Sequence, residues 1–170
     1  MDGLFKTIQQ PEYVHILLNH FPITGLFVAL WFLLVGALRN SRLTIMIALV
    51  VVALLSLSAW PVAHYGELAY DRVLSMSDEA GSQYLKYHEE LANRWIFLFY
   101  VTSAAATAAL IVVWRKPRYL RPAVVVVALL AAGSLAAGAV IAEYGGRIRH
   151  REFQNKPLST LHIHPEIGTG

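Results

Sequence analysis

Histidine is the one strong nitrogen ligand in this chain of 170 residues, which contains no cysteine. The lack of cysteine excludes disulfides, thiolate nucleophiles, iron–sulfur clusters, thioether-attached c-type haem and cysteine-based zinc sites. What remains is imidazole chemistry, because neutral imidazole is the commonest protein ligand of metal ions. The seven histidines are His15, His20, His64, His88, His150, His162 and His164.

The elements that carry these histidines are long and apolar. Hydrophobic residues make up 56% of the chain and charged residues only 15%, whereas a soluble domain has about 25% charged residues. Four stretches of at least twenty residues lack Asp, Glu, Lys and Arg, and about 20 apolar residues suffice for a helix to cross a bilayer. These stretches are 13–38, 43–66, 95–114 and 122–142. The sequence therefore predicts four membrane-spanning helices.

The charged residues predict the orientation of the spans. Neither the first nor the third connection contains an acid, and all eleven carboxylates lie on the opposite side. The bases in these two connections are Arg39, Arg42, Arg115, Lys116, Arg118 and Arg121. By the positive-inside rule these connections face the cytoplasm. The net charge of +3 is thus a topology signal, and we expect no binding to nucleic acid.

The predicted fold is an all-α integral membrane protein, a four-helix up-down-up-down bundle, because short connections join antiparallel neighbours. We expect the bundle over residues 13–150, in the lipid bilayer of a bacterial inner membrane. Residues 1–12 and 151–170 are then tails, and both termini lie on the periplasmic side. The periplasmic connection is expected at 67–94, with a short amphipathic helix within residues 68–88. We find no internal repeat in the sequence.

This topology brings five histidines to one membrane face, at least one from each helix. Polar groups inside a membrane bundle are costly unless they are used, so the five are predicted ligands of a metal or cofactor. They are His15, His20, His64, His88 and His150. His162 and His164 follow in the tail, and we expect their replacement to change little.

Haem b is the predicted cofactor, because axial ligation needs only facing imidazoles from different helices and an apolar slot. Five histidines suffice for one or two haems. His15 and His20 are about 140° apart around a helix and cannot face one iron. Copper bound by three histidines is the principal alternative.

Charged neighbours extend this prediction. Arg147 and Arg149 are candidate partners of haem propionates, although Arg147 also has the spacing for a helix salt bridge with Glu143. Each ligand's second ring nitrogen needs an acceptor. The nearest candidate acceptors are Glu67, Asp71, Glu89 and Glu90.

The run His15-Ile-Leu-Leu-Asn-His20-Phe-Pro22 resembles the His-x4-His-Phe-Pro opening of a bacterial four-span membrane family, domain of unknown function 2231. The resemblance continues over residues 13–150. It departs from the family pattern at Ile16, where a small Pro is usual, and at 147–149, where an apolar-aromatic run is usual. The further matching positions are Gly66, Asp71, His88, Gly145, Gly146 and His150. Such proteins are regarded as haem-binding or redox-associated, so the resemblance implies the same here.

We therefore predict a membrane b-type cytochrome-like protein that passes electrons between quinol or a partner subunit and a periplasmic electron carrier. An electron-transfer subunit is expected rather than a stand-alone enzyme, because no nucleophile with its base is recognisable. Two alternatives stay open. One is a histidine-based copper or zinc protein, and the other is a cofactor-free accessory subunit of a larger respiratory or photosynthetic complex.

Overall fold

A computed structural model describes residues 9–154, in which all regular structure is helical. Seven α-helices follow one another with short interruptions. They are α1 (Pro11–His20), α2 (Leu26–Leu38), α3 (Arg42–Leu57), α4 (Ala59–Ser75), α5 (Glu79–Trp95), α6 (Phe97–Arg115) and α7 (Leu120–Arg147). A π-helical turn, Phe21–Gly25, joins α1 to α2, and 3-10 turns lie at Pro117–Tyr119 and Arg151–Phe153.

These helices combine into four rods that are long and apolar enough to cross a membrane. Span 1 is Pro11–Leu38, span 2 is Arg42–Ser75, span 3 is Glu79–Arg115 and span 4 is Pro117–Arg147. Each has at least 28 residues, more than the about 20 that a hydrocarbon core requires. The predicted four-helix bundle is therefore confirmed. Each span is also longer than the hydrocarbon core of a bilayer requires.

Short turns at one end of the bundle connect span 1 to span 2 and span 3 to span 4. At the first turn Asn40 takes a left-handed conformation, with φ of 49°, and Ser41 N–H bonds the Gly36 carbonyl. This is the hydrogen-bond pattern of a helix C-terminal cap. Arg42 then reaches across to the Val113 and Trp114 carbonyls of span 3. We call this the basic end.

At the opposite end, the predicted bounds of the connection, residues 67–94, are wrong because most of these residues are helical. Helix α4 continues to Ser75 and α5 begins at Glu79, so only residues 76–78 form the turn. The predicted spans ended where charged residues begin. Charged residues do not by themselves end a helix, and no proline interrupts residues 67–94. Asp78 caps α5 by accepting a hydrogen bond from Gly81 N–H at 2.8 Å, as N-cap residues do.

The apolar core lies toward the basic end, around α2, α3, α6 and α7. Its cluster extends as far as Ala59 and Phe99, and Ala69, Tyr84 and Leu85 are buried nearer the other end. Small residues of α6 and α7, including Ala106, Ala131 and Ser134, are completely or almost completely buried there. Small side chains allow close approach of membrane helices, so the four rods form a closed ring in which each packs on its two neighbours.

The other end, which we call the histidine end, consists of α1, α4, α5 and the last turns of α7. Here α1 packs on α4, and α5 packs on α7, but α4 and α5 barely approach each other. We call spans 1 and 2 the first half-bundle and spans 3 and 4 the second half-bundle. The two half-bundles are closely packed at the basic end and splayed at the histidine end.

Candidate functional site

The structure brings together two of the five predicted ligands. His15 of α1 and His88 of α5 face each other across the gap between the half-bundles, with ring centroids 6.3 Å apart and ring planes at 85°. Both rings are half-buried. They are thus the chief contact between α1 and α5, which hardly approach each other otherwise.

The ring of His15 is fixed by the facing helix of its own half-bundle. Its Nδ1 lies 2.8 Å from the Val62 carbonyl of α4, and a carbonyl only accepts hydrogen bonds. Nδ1 therefore carries a proton, and in the neutral ring Nε2 keeps its lone pair. The ring edge rests on Gly66: a Cβ at that position would lie 2.9 Å from Nδ1 and 3.0 Å from Cε1.

The ring of His88 is held in the same way by span 4. Its Nδ1 donates to the Ile141 carbonyl at 2.8 Å, which again leaves Nε2 with the lone pair. The ring edge rests on Gly145, where a Cβ would lie 3.1 Å from both Cε1 and Nδ1. Each half-bundle therefore supplies a histidine on one helix, and a carbonyl with a glycine four residues later on the other helix.

The sequence contains a short repeat that corresponds to this arrangement. Val62-Ala-His-Tyr-Gly66 and Ile141-Ala-Glu-Tyr-Gly145 share three of five residues and exchange Val for Ile at a fourth. The match is too short to stand out among four apolar stretches. It gains meaning only because both segments face a histidine at the same level of the bundle. The prediction that the chain has no internal repeat is therefore wrong.

The other three predicted ligands lie apart from this pair. His20 is exposed, and its Nδ1 bonds the Ile16 carbonyl of its own helix at 2.9 Å. His64 is exposed and stacks on Trp60, with ring centroids 6.0 Å apart and planes at 5°. His150 lies beyond α7 and faces Glu152 at 3.0 Å. The predicted tail histidines His162 and His164 fall outside the described residues.

Carboxylates do not serve the paired histidines as acceptors. Glu67, Asp71, Glu89 and Glu90 are all exposed, and backbone carbonyls take the role for which they were predicted. The reason is geometric, because a glycine lets a ring approach the helix backbone closely enough to reach a carbonyl. Only His150, among the predicted ligands, bonds a carboxylate. The pKa of the Glu152 carboxyl lies below its ordinary value because its own backbone N–H and the His150 ring stabilise the charged form.

The two arginines lie at the same end of the molecule. Arg147 forms the salt bridge with Glu143 that its spacing allows, and its guanidinium lies 5.1 Å from the centre of the Tyr144 ring. Arg149 is exposed and its Nη2 is 3.8 Å from the Met76 sulfur. With Ser75, Ser77, Ile148 and others, Arg149 lines an open groove at the end of the bundle. Within residues 9–154, neither arginine forms a hydrogen bond with His15 or His88.

The donor set is therefore a pair of imidazoles with free Nε2 atoms. Among residues 9–154 no group of three or more His, Cys, Asp or Glu side chains is placed to hold a metal ion. A three-histidine copper site is thus not formed by the described part of the chain. Metal-bound histidines usually donate their second ring N–H to a carbonyl or carboxylate, which fixes the tautomer. His15 and His88 both have that arrangement.

Comparison with known proteins adds no relative. No protein-family model matches the chain, and no curated protein or solved structure matches it significantly. The resemblance to domain of unknown function 2231 therefore rests on the motif residues alone.

Proposed function

We propose that this chain is a membrane b-type cytochrome-like electron-transfer protein or subunit, in which His15 and His88 would hold one haem. The observation that carries the proposal is the pair itself. Two imidazoles from different helices face each other, each with Nδ1 bonded to a carbonyl. The second nitrogen of each ring would be the one that holds the haem.

The residues present fit such a group by three observations. The two imidazoles come from different half-bundles and lie close together, with ring centroids 6.3 Å apart. Each donates its Nδ1–H to a backbone carbonyl, as metal-bound histidines usually do. No group of three or more His, Cys, Asp or Glu side chains is placed to hold an ion among residues 9–154, which favours a cofactor held by two imidazoles over an ion cage.

A bound haem would supply one-electron transfer, and the protein's residues supply the rest. His15 and His88 would hold the iron, while the Val62 and Ile141 carbonyls keep both rings in one tautomer and orientation. Arg147 and Arg149 bring positive charge to this end of the bundle, where propionates would need it. The two-ligand set supports one haem in preference to two.

The proposed setting is the periplasmic side of a bacterial inner membrane. It is supported by the separation of charge, since the basic end carries six bases and no acid, while the carboxylates of residues 9–154 lie at the histidine end. In that orientation the site is close to the periplasmic surface. Quinol or a partner subunit and a periplasmic electron carrier are the proposed redox partners.

The visible spectrum of the protein purified from its membrane tests the proposal. We expect a Soret band and reducible α-bands typical of low-spin haem. Substitutions His15→Ala and His88→Ala should each lower haem occupancy or give a high-spin spectrum. His20→Ala, on the same span as His15, and His64→Ala, on span 2, are controls and should keep the wild-type spectrum.

Other outcomes would contradict the proposal and select an alternative. Stoichiometric copper or zinc without a Soret band would indicate a metal-binding protein instead. Protein with neither metal nor haem would indicate an accessory subunit. Retention of the low-spin spectrum in both His15→Ala and His88→Ala would show that these histidines are not the ligands.

A further inference from the structure

Two features of the histidine end repeat in the two half-bundles, and both concern a glycine. His15 lies on Gly66 and His88 lies on Gly145, each ring edge within the distance at which an added Cβ would press against it. Each ring also bonds the carbonyl four residues before that glycine. The helix that carries the histidine and the helix that carries the glycine belong to the same half-bundle in both cases.

The two half-bundles also run in the same direction along the bundle. In each, the histidine span leads to a turn at the basic end, and the second span returns with its glycine at the level of the histidine. Around the bundle, the order at this level is His15, Gly66, His88, Gly145. Parallel repeats of membrane helices are related by an axis along the membrane normal and bind their ligands at the repeat interface.

We infer that the chain contains one composite ligand site formed by two equivalent half-sites, and that Gly66 and Gly145 are its positioning residues. Each glycine allows an imidazole edge to lie against the helix backbone and to donate Nδ1–H to a carbonyl. The tautomer and direction of both rings then follow from the backbone and need no charged partner. This inference rests on the proposed function for the identity of the ligand, but its geometry holds for any ligand of the two Nε2 atoms.

The equivalence has a specific consequence for substitutions. Alanine at position 66 would place Cβ 2.9 Å from the His15 ring, whereas alanine at 145 would place it 3.1 Å from the His88 ring. A contact under about 3.0 Å forces something to move, whereas one of 3.0–3.4 Å requires the neighbour to give by a few tenths of an ångström, so we expect a larger change for Gly66→Ala than for Gly145→Ala. Residues that orient a ligand commonly change metal affinity about 10- to 100-fold when replaced.

The chain offers a matched control at the adjacent residue. A Cβ at Gly146 would meet no atom within 4 Å, and the same holds for Gly133 on the same helix. Alanine forms helix better than glycine, so Gly146→Ala and Gly133→Ala should be folded at least as well as the wild type. Any effect of Gly145→Ala that Gly146→Ala lacks therefore reports on the His88 contact and not on helix propensity.

The first measurement uses the full chain in detergent without added haem. In ¹⁵N-histidine NMR we expect His15 and His88 to appear as Nδ1–H tautomers. Gly66→Ala should abolish that signature for His15 alone, and Gly145→Ala for His88 alone. Wild-type tautomers in both glycine variants would overturn the inference. This result does not depend on haem, so it separates failure of the half-sites from failure of the proposed function.

The second measurement is titration of the same proteins with haemin. We expect affinity to fall about 10- to 100-fold in Gly66→Ala and Gly145→Ala, and to stay unchanged in Gly146→Ala. Equal affinity in all variants would refute the positioning role while leaving the haem proposal standing. Absence of binding to the wild type would refute the haem proposal, and the NMR result would still decide on the half-sites.

A third variant covers the case in which Gly66→Ala does not fold. The double substitution His15→Ala with Gly66→Ala removes the ring that the new Cβ would press against. We expect the double variant to fold. If it does not, Gly66 is required for another reason and the inference is wrong.

Discussion

At the basic end of the bundle the two half-bundles are in close contact, and at the histidine end they diverge. Around α2, α3, α6 and α7, every rod packs on both neighbours, with apolar residues and small side chains at the centre. Around α1, α4 and α5 the close packing lies within each half-bundle. Between the half-bundles there lies a pair of imidazoles, each held by its own half, together with a hydrogen bond between Tyr70 of α4 and Glu89 of α5.

The comparison separates the residues that hold the fold from those that can hold a ligand. Buried apolar contacts at the basic end provide packing that does not depend on the histidine end. Fewer apolar residues are buried at the histidine end, among them Ala69, Tyr84 and Leu85, and binding sites are commonly drawn from the less stable regions of a protein. Polar ring nitrogens are tolerated there because the backbone satisfies one nitrogen of each ring.

The largest expected difference between the two ends is the side of the membrane on which each lies. Because the chain has no cysteine, single substitutions Ser41→Cys and Ser77→Cys place one thiol in a turn at each end. We expect an impermeant thiol reagent applied from the periplasm to label residue 77 and not residue 41, since the basic turns should face the cytoplasm.

A lysed-membrane sample, in which both thiols should react, is the control for accessibility. Labelling of residue 41 from the periplasm would reverse the orientation. The proposed periplasmic site would then be wrong, although the packing of the bundle would be unaffected.

The second expected difference is in stability. Leu49 is completely buried in the core near the basic end, whereas Leu68, on α4 at the histidine end, is 56% exposed. Leu49→Ala should lower the free energy of unfolding by about 2–5 kcal/mol, because it removes buried atoms and leaves a cavity. Leu68→Ala should change it by less than about 0.5 kcal/mol. Thermal unfolding in detergent measures both.

Equal losses in the two leucine variants would contradict the division of the bundle. They would mean that the histidine end contributes as much packing to the fold as the core does. In the expected case, Leu49→Ala should also leave the histidine tautomers unchanged wherever the variant is folded.

The sequence predicted most of the fold, because charge-free stretches of twenty residues leave few alternatives to membrane helices. It did not predict where the helices end. Residues 67–75 and 79–94 carry charges, which predicted that the helices end before these residues. The helices in fact continue through them, and only the apolar core ends there. Pro22 interrupts the hydrogen bonds of span 1, and the π-helical turn Phe21–Gly25 lies there.

The candidate site was predicted less well, for a physical reason. Equal depth brings five histidines to one level, but only the rotation of each helix about its axis decides which side chains face inward. His64 faces outward while its neighbour Gly66, two residues later, faces His15. The sequence pattern of long apolar spans contains little information on rotation. The short repeat ending in Gly66 and Gly145 does contain it, because a glycine marks where a ring can approach.

The smallest expected effect concerns a polar side-chain contact within the core, at the seam between α3 and α6, where Arg42 also bonds carbonyls of α6 nearer the basic end. Ser103 donates a hydrogen bond to the Ala53 carbonyl at 2.9 Å, which links the second half-bundle to the first at the level of the core. Ser103→Ala should cost about 0.6 kcal/mol, the average for hydrogen bonds between membrane helices. Ser58→Ala is the matched control, because Ser58 bonds the Leu55 carbonyl of its own span and links no other helix. Unfolding in detergent would measure both. A loss above about 2 kcal/mol for Ser103→Ala would show that polar contacts, and not packing, hold the half-bundles together, and the contrast between the two ends would then need a different explanation.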